Sequence, residues 1–129
     1  LNSLIKNKSI KEPVYSYKTH KRLKKNKTLK PGKVIILEGL HIFCNSKLIS
    51  LIDFGLFLDL ESNVRLNRRI KRDIKERGRT ESEVINRFKQ MCEPMYQKFI
   101  YPSRKNANVT INSDKKTINY IVNLIDEFI

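Results

Sequence analysis

Glycine is scarce in this chain, and the four present stand in the wrong places to build a phosphate-wrapping loop. Such a loop reads G-x-x-x-x-G-K-[ST], with its backbone N–H groups turned onto the phosphates. Gly32, Gly39, Gly55 and Gly78 do not fit it: Gly32-Lys33 is followed by Val34 and has no glycine five positions earlier, so it reads as a turn. Cysteine is scarce too. Cys44 and Cys92 lack metal-ligand spacing, which argues against a disulfide scaffold and for a reduced, cytoplasmic protein. Long apolar runs are missing, because Glu38, Asp53 and Asp59 interrupt them well short of the ~20 residues a membrane span needs. No secretory leader is legible, and a first residue of Leu rather than Met suggests that Leu1 is not the native start. Acids are outnumbered, 13 against 27 Lys and Arg, and the net charge of +14 points to anionic partners without saying which.

What is present is a 129-residue chain with 40% hydrophobic residues, enough for a real core in a single domain spanning 1–129. Its two cations are distributed differently. Lysines are scattered, with a cluster in "KTHKRLKKNKTLKPGK" that reads as a solvated loop or hairpin. Seven of the nine arginines (65, 68, 69, 72, 77, 79 and 87) fall between positions 65 and 87. Lysine is a solubilising point charge, whereas the planar guanidinium fork binds oxyanions in pairs. The arginine cluster is therefore the signal.

Along the chain, "LNSLIKNKSI" reads as a short amphipathic helix, and "EPVYSY" is extended because the residue before Pro13 is pushed out of the helical region. The hairpin is expected over 12–35, and core strands near 33–38 ("KVIILE"), 53–59 ("DFGLFLD") and 108–112 ("NVTIN"). Between them lie a short helix in "KLISLI" and a longer one in "ESNVRLNRRIKRDIKERG", stopped by Gly78. A second long helix opens at Thr80 with Glu83 three residues on, a capping box, and a closing helix covers 114–129. Strands that are apolar throughout and alternate with helices indicate an α/β fold, a parallel sheet buried on both faces.

On the arginine helix, Leu66, Ile70 and Ile74 stack on one side at about 100° per residue, the expected core face. Arg65, Arg69 and Arg72 share a narrow sector nearly opposite, and Arg77 and Arg79 carry the charge into the following turn. A solvated face is the plain alternative. It fits poorly in a chain that uses lysine for solvation elsewhere. Glu38 closes the run "VIILE" just before Gly39; in nucleotide-handling α/β folds ligands bind at the carboxyl ends of parallel strands, where a carboxylate holds Mg²⁺ directly or through water. An ordinary strand-end acid is the alternative there.

Four segments, "PVYSYKTHKR", "VIILEG", "RRIKRDIKERGR" and "EPMYQKFIYPSRKNANVTI", occur in an order and spacing that resembles the uridine kinases, members of the P-loop kinase group that also holds phosphoribulokinase. The resemblance covers Leu1 to about Ile111. It implies a P-loop kinase-type parallel sheet with flanking helices, incomplete in this chain, since the P-loop strand and the strand bearing the general-base Asp are absent. The chain thus resembles the C-terminal portion of such a kinase, joined where the substrate hairpin begins and expected to be inactive by itself.

The resemblance implies ATP-dependent (or GTP-dependent) 5′-phosphorylation of uridine or cytidine with Mg²⁺, in pyrimidine salvage, by a homo-oligomer that is a tetramer in the family. Tyr15 and His20 match the hairpin residues that hold the nucleoside, and Arg69 the arginine on its sugar or base. Arg72 and Arg77 match lid arginines that reach the phosphates, and Glu38 matches the acid that positions Mg²⁺. Two positions depart from the pattern. Ser16 stands where the family commonly has Asp, and Arg87 where it has a nucleoside-contacting Gln, which leaves an anionic acceptor open, as in phosphoribulokinase. Two readings from other classes stand beside the kinase: a catalytically dead remnant, and a basic RNA-binding module. The second is weakened because aromatics do not interleave with the basic residues as base-stacking platforms require.

Overall fold

The computed structural model describes residues 1–17, 19–112 and 115–128. It divides into two compact units, Leu1–Leu37 and Glu38–Phe128.

The first unit is a short helix and a hairpin. Helix α1 (Asn2–Ile5) precedes strands β1 (Ile10–Ser16) and β2 (Lys21–Leu29), which pair antiparallel from Ile10↔Leu29 to Ser16↔Lys21. The register shifts between Pro13 and Tyr15, so that β2 carries the extra residues of a bulge. Pro13 has no N–H to give to the ladder, and bulges are where a ladder tolerates that loss. The expected third strand of this region is not formed. Residues 33–38 make no ladder, and Ile36 is 83% exposed. An apolar run becomes a strand only when another strand satisfies its backbone, and none among the described residues does so here.

The second unit opens with one 3₁₀ turn (Ile42–Cys44) and helix α2 (Ser46–Ile49), whose Asn45 cap accepts from the Lys47 and Leu48 N–H groups at 3.0 and 3.3 Å. Strand β3 (Leu56–Leu58) pairs with β4 (Val109–Ile111) in parallel, the expected orientation, in the register Leu56↔Val109 to Leu58↔Ile111. Asn108 locks the entry: its Oδ1 accepts the Gly55 N–H at 2.7 Å while its own N–H donates to the Gly55 carbonyl at 2.8 Å. The small sheet is covered less fully than expected. Phe57 and Ile111 are buried, but Leu58 is exposed.

Helix α3 (Ser62–Arg77) leads through Gly78 into a helical run from 81 to 103. That run is α at Glu81–Arg87 (α4), Glu93–Met95 (α5) and Tyr101–Ser103 (α6), with π turns at Phe88–Cys92 and Tyr96–Ile100. The π turns answer the two prolines. Pro94 and Pro102 would press on the carbonyls of Gln90 and Lys98, four residues back, and both of these lie in the wider turns. The turns also set the phase of the core. In a straight α-helix Val84 and Ile100 would lie about 160° apart. Each π turn absorbs about one residue, which brings the two onto the same side. Val84, Phe88, Tyr96 and Ile100 are indeed all buried. Phe57, Tyr96 and Ile100 form the core cluster, with Phe43, Tyr101 and Ala107 against it. Helix α7 (Lys115–Phe128) closes the chain; positions 114 and 129 of the expected 114–129 helix lie outside the described residues.

Gly55 faces the ring of Phe43 so closely that an added Cβ would stand 2.8 Å from Cε1. Phe43 is itself tilted against Phe57, with ring centroids 6.4 Å apart, so its retreat disturbs the core. Gly55→Ala is expected to destabilise the protein by about 1–3 kcal/mol, the usual cost of overpacking, read as a lowered Tm in thermal unfolding. An unchanged Tm would show that Phe43 moves freely.

Candidate functional site

The C-terminal half of α3 is organised around one acid. Asp73 is 0% exposed, although it stands on a helix whose neighbours are mostly cations. Its carboxylate gathers four guanidinium groups. Arg72 donates from Nε to Oδ1 at 2.9 Å and brings Nη2 to 2.8 Å of the same oxygen. Arg77 Nη1 lies 3.2 Å from Oδ1. Arg69 Nε and Arg79 Nη1 approach Oδ2 at 3.5 and 4.0 Å. These last two are ion pairs without hydrogen-bond geometry, since neither Asp73 Oδ2 nor Arg69 Nε has a hydrogen-bond partner.

The backbone of Asp73 is used as well. Gly78 adopts a left-handed conformation (φ 63°), and the N–H groups of Gly78 and Arg79 both turn back onto the Asp73 carbonyl. A side chain at Gly78 would meet nothing within 4 Å, so glycine serves the conformation there and not the space. The turn delivers Arg79 to the cluster and stops at the capping box of α4. There Thr80 N–H and Oγ1 donate to Glu83 Oε2 at 2.8 and 2.9 Å, while Glu83 N–H donates to Thr80 Oγ1. These bonds from Thr80, backbone first, hold the Glu83 carboxyl below its usual range.

Helix α3 corrects the sequence reading in two places. Leu66 and Ile70 are half-buried as expected, but Ile74 is 45% exposed, and its neighbour Asp73 takes the buried position. The apolar stripe fails there because guanidinium groups, not a hydrophobic layer, cover the end of the helix. Arg65 is the second correction. It does not belong to the charged sector of Arg69 and Arg72: it donates from Nε to the Leu60 carbonyl at 3.0 Å and grips Glu93 with both terminal nitrogens at 2.9 Å. Its guanidinium also stacks on Tyr96, 3.7 Å from the ring centroid. Arg65 is thus a pin between α3 and the helical run that follows.

The other candidates are placed as follows. On the hairpin, Tyr15 pairs with Arg22 across the ladder and meets Tyr17 edge-on at 5.3 Å between centroids. His20 is exposed at the turn in a left-handed conformation (φ 53°), which non-glycine residues seldom adopt. Ser16 Oγ accepts the Thr19 N–H at 3.3 Å, so the residue at the departure from the family pattern caps its own turn. Arg87 is exposed on α4. Glu38 is exposed and outside regular structure, so it is not the strand-end acid expected. Among the described residues no group of three or more His, Cys, Asp or Glu gathers as a metal site. Magnesium, however, commonly takes one or two carboxylates with water and substrate phosphates, and the hard oxygen of Glu38 fits that donor set. Asp73 is what sequence reasoning missed. The signal was there, since it follows Arg72 directly and stands four residues from both Arg69 and Arg77.

Burial pushes the Glu93 carboxyl up, but hydrogen bonds from Arg65 and Gln97 and the charge of Arg65 outweigh it and hold the group below the usual range. A carboxylate depressed in the folded state contributes stability above its unfolded value of about 4.3, and that contribution is lost as pH falls through the lower folded value. Glu93→Gln should therefore lower Tm at pH 7 and flatten its decline below about pH 4.3. Parallel Tm curves for the two proteins through the acid range would show that Arg65–Glu93 contributes nothing to acid sensitivity.

The sequence matches the Phosphoribulokinase / Uridine kinase family over residues 1–118. It is 36% identical over 111 residues to a uridine kinase of Leuconostoc citreum, covering 86% of this chain and 53% of that protein. Uridine kinases of Halalkalibacterium halodurans and Bacillus cytotoxicus are 40% and 41% identical over the same length, with 53% and 52% of those proteins covered. The chain thus spans about half the length of the curated relatives it matches. Among the described residues no helix is long and apolar enough to cross a membrane. With the match running through the hairpin and the arginine helix alike, the chain belongs to the phosphoribulokinase/uridine kinase family.

Proposed function

We propose that this chain is the acceptor-side and lid portion of a nucleoside kinase that transfers the γ-phosphoryl group of ATP (or GTP) to the 5′-hydroxyl of uridine or cytidine. The observation that carries this reading is the guanidinium cluster of Arg69, Arg72, Arg77 and Arg79. Phosphoryl transfer asks little covalent chemistry of a protein; positioning and stabilisation of charge on the moving group do most of the work. Planar cations held in fixed relation by one carboxylate suit that task better than freely rotating lysines.

In this reading Arg72 and Arg77 face the donor phosphates. The Arg72 side chain, 44% exposed, has surface left to offer while its Nε is held by Asp73. Arg69 addresses the nucleoside sugar or base. Tyr15 and His20 hold the nucleoside from the hairpin, and Arg87 borders it where an amide is usual. Glu38 would help hold Mg²⁺, which when bound screens the negative charge of the phosphates.

Two sets of variants test this in the native full-length protein. Arg72→Ala should lower kcat by about 100-fold with little change in nucleoside KM, since its partner charge develops in the transition state. An unchanged kcat would remove Arg72 from the reaction. Tyr15→Ala and His20→Ala should instead raise nucleoside KM and leave ATP affinity nearly intact. If ATP affinity fell and nucleoside KM held, the hairpin would not be the acceptor site. Arg87→Gln separates the acceptors: faster use of uridine fits a neutral nucleoside, and slower use fits an anionic one.

A further inference from the structure

Four guanidinium groups converge on a single carboxylate that is wholly out of solvent. Among these five side chains four positive charges face one negative charge. Guanidinium groups this close repel one another, and the Asp73 carboxylate sits between them. The anion is not used to capacity either. Oδ1 takes the close contacts of Arg72 and Arg77, while Oδ2 is buried, accepts no hydrogen bond and is approached at 3.5 and 4.0 Å only. A buried carboxylate oxygen left in that state is costly, and structures retain such features where they serve a purpose beyond stability.

The geometry points to Asp73 as a positioning residue: its carboxylate is a built-in counter-anion that holds the four arginines as a preformed cradle for a polyphosphate. This rests on the reading that the cluster addresses donor phosphates. Asp73 does not touch the substrate. It supplies, before binding, part of the negative charge that the phosphates later supply, and it fixes each guanidinium plane so that little ordering remains to be done when charge develops. The loosest partner, Arg79 at 4.0 Å, is the one set to turn toward an incoming phosphate, while Arg72 stays anchored to Oδ1 and offers the exposed part of its side chain.

This makes Asp73 and the ligand partial substitutes as counter-anions, which a helix-stabilising acid would not be. Asp73→Asn keeps the shape and removes the charge. In the native full-length protein, with uridine and Mg²⁺-ATP, it should lower kcat about tenfold or more while leaving nucleoside KM within about twofold. Inorganic triphosphate should raise the Tm of the Asn variant by more than it raises that of the unaltered protein, since the ligand supplies the charge the variant lacks. Asp73→Glu, which keeps the charge and shifts it by one methylene, should recover part of kcat. Equal triphosphate shifts in the unaltered and Asn proteins would overturn the assignment and leave the phosphate reading standing. The absence of any triphosphate shift in the unaltered protein would overturn both. If Asp73→Asn does not fold, the Glu variant decides: a kcat lowered by about threefold or more at unchanged nucleoside KM supports the role, and a normal kcat overturns it.

Discussion

A carboxylate with no access to water has to be neutralised within the protein, and among the described residues Asp73 meets that requirement with arginines. Much of the second unit's local detail follows. The helix must end one turn later so that Arg77 can reach back from within it and Arg79 from beyond it, and the left-handed Gly78 makes that ending. The turn must be short and held, and the Thr80–Glu83 box holds it. Burying an ion pair seldom adds net stability, because desolvation takes back what the Coulomb attraction gives. The cluster is better understood as geometry fixed at some cost than as a source of stability.

The opposite end of the same helix uses arginine for another purpose. Arg65 stacks on Tyr96 and hydrogen-bonds Glu93 Oε1 through Nη2, with Nη1 close to Oε2, a planar contact that lysine could not make. Arg104 repeats the device on a smaller scale, stacked over Tyr101 at 3.8 Å and paired with Asp59 at 3.7 Å. A chain with a modest core thus extends it by laying guanidinium planes on its aromatic rings. Arginine enrichment in this region therefore has two causes on view, one in packing against aromatic rings and one in neutralising a buried acid.

Which of these causes was legible in advance depends on the distance over which each residue acts. The stop at Gly78, the Thr80 box and the hairpin near Pro13 are local events with local signatures, and the structure has them where the sequence indicates. The parallel pairing of β3 and β4 followed from their apolar character. The run 33–38 read equally well as a strand, but a strand is a relation between two segments, and one segment's residues say nothing of its neighbour. Asp73 was hidden by averaging. Among so many arginines it drew no notice, and apolar periodicity drew attention to Ile74 instead. Burial of an acid follows from what surrounds it in space, which a helical projection of one segment does not contain. Tyr15 and His20 carry no local signature at all and enter only through resemblance.

The two π turns have a consequence for how this part of the chain can vary through descent. Each holds one residue more than an α-helix would, so each is a place where a single-codon deletion leaves the helix continuous and hydrogen-bonded. Because the turn itself absorbs the extra residue, its loss returns the turn to α geometry and leaves Tyr96 and Ile100 facing Phe57. A deletion in the α stretch between the turns has no such reserve and would rotate everything downstream by about 100°. Single-residue length differences among relatives should therefore fall within the two π turns.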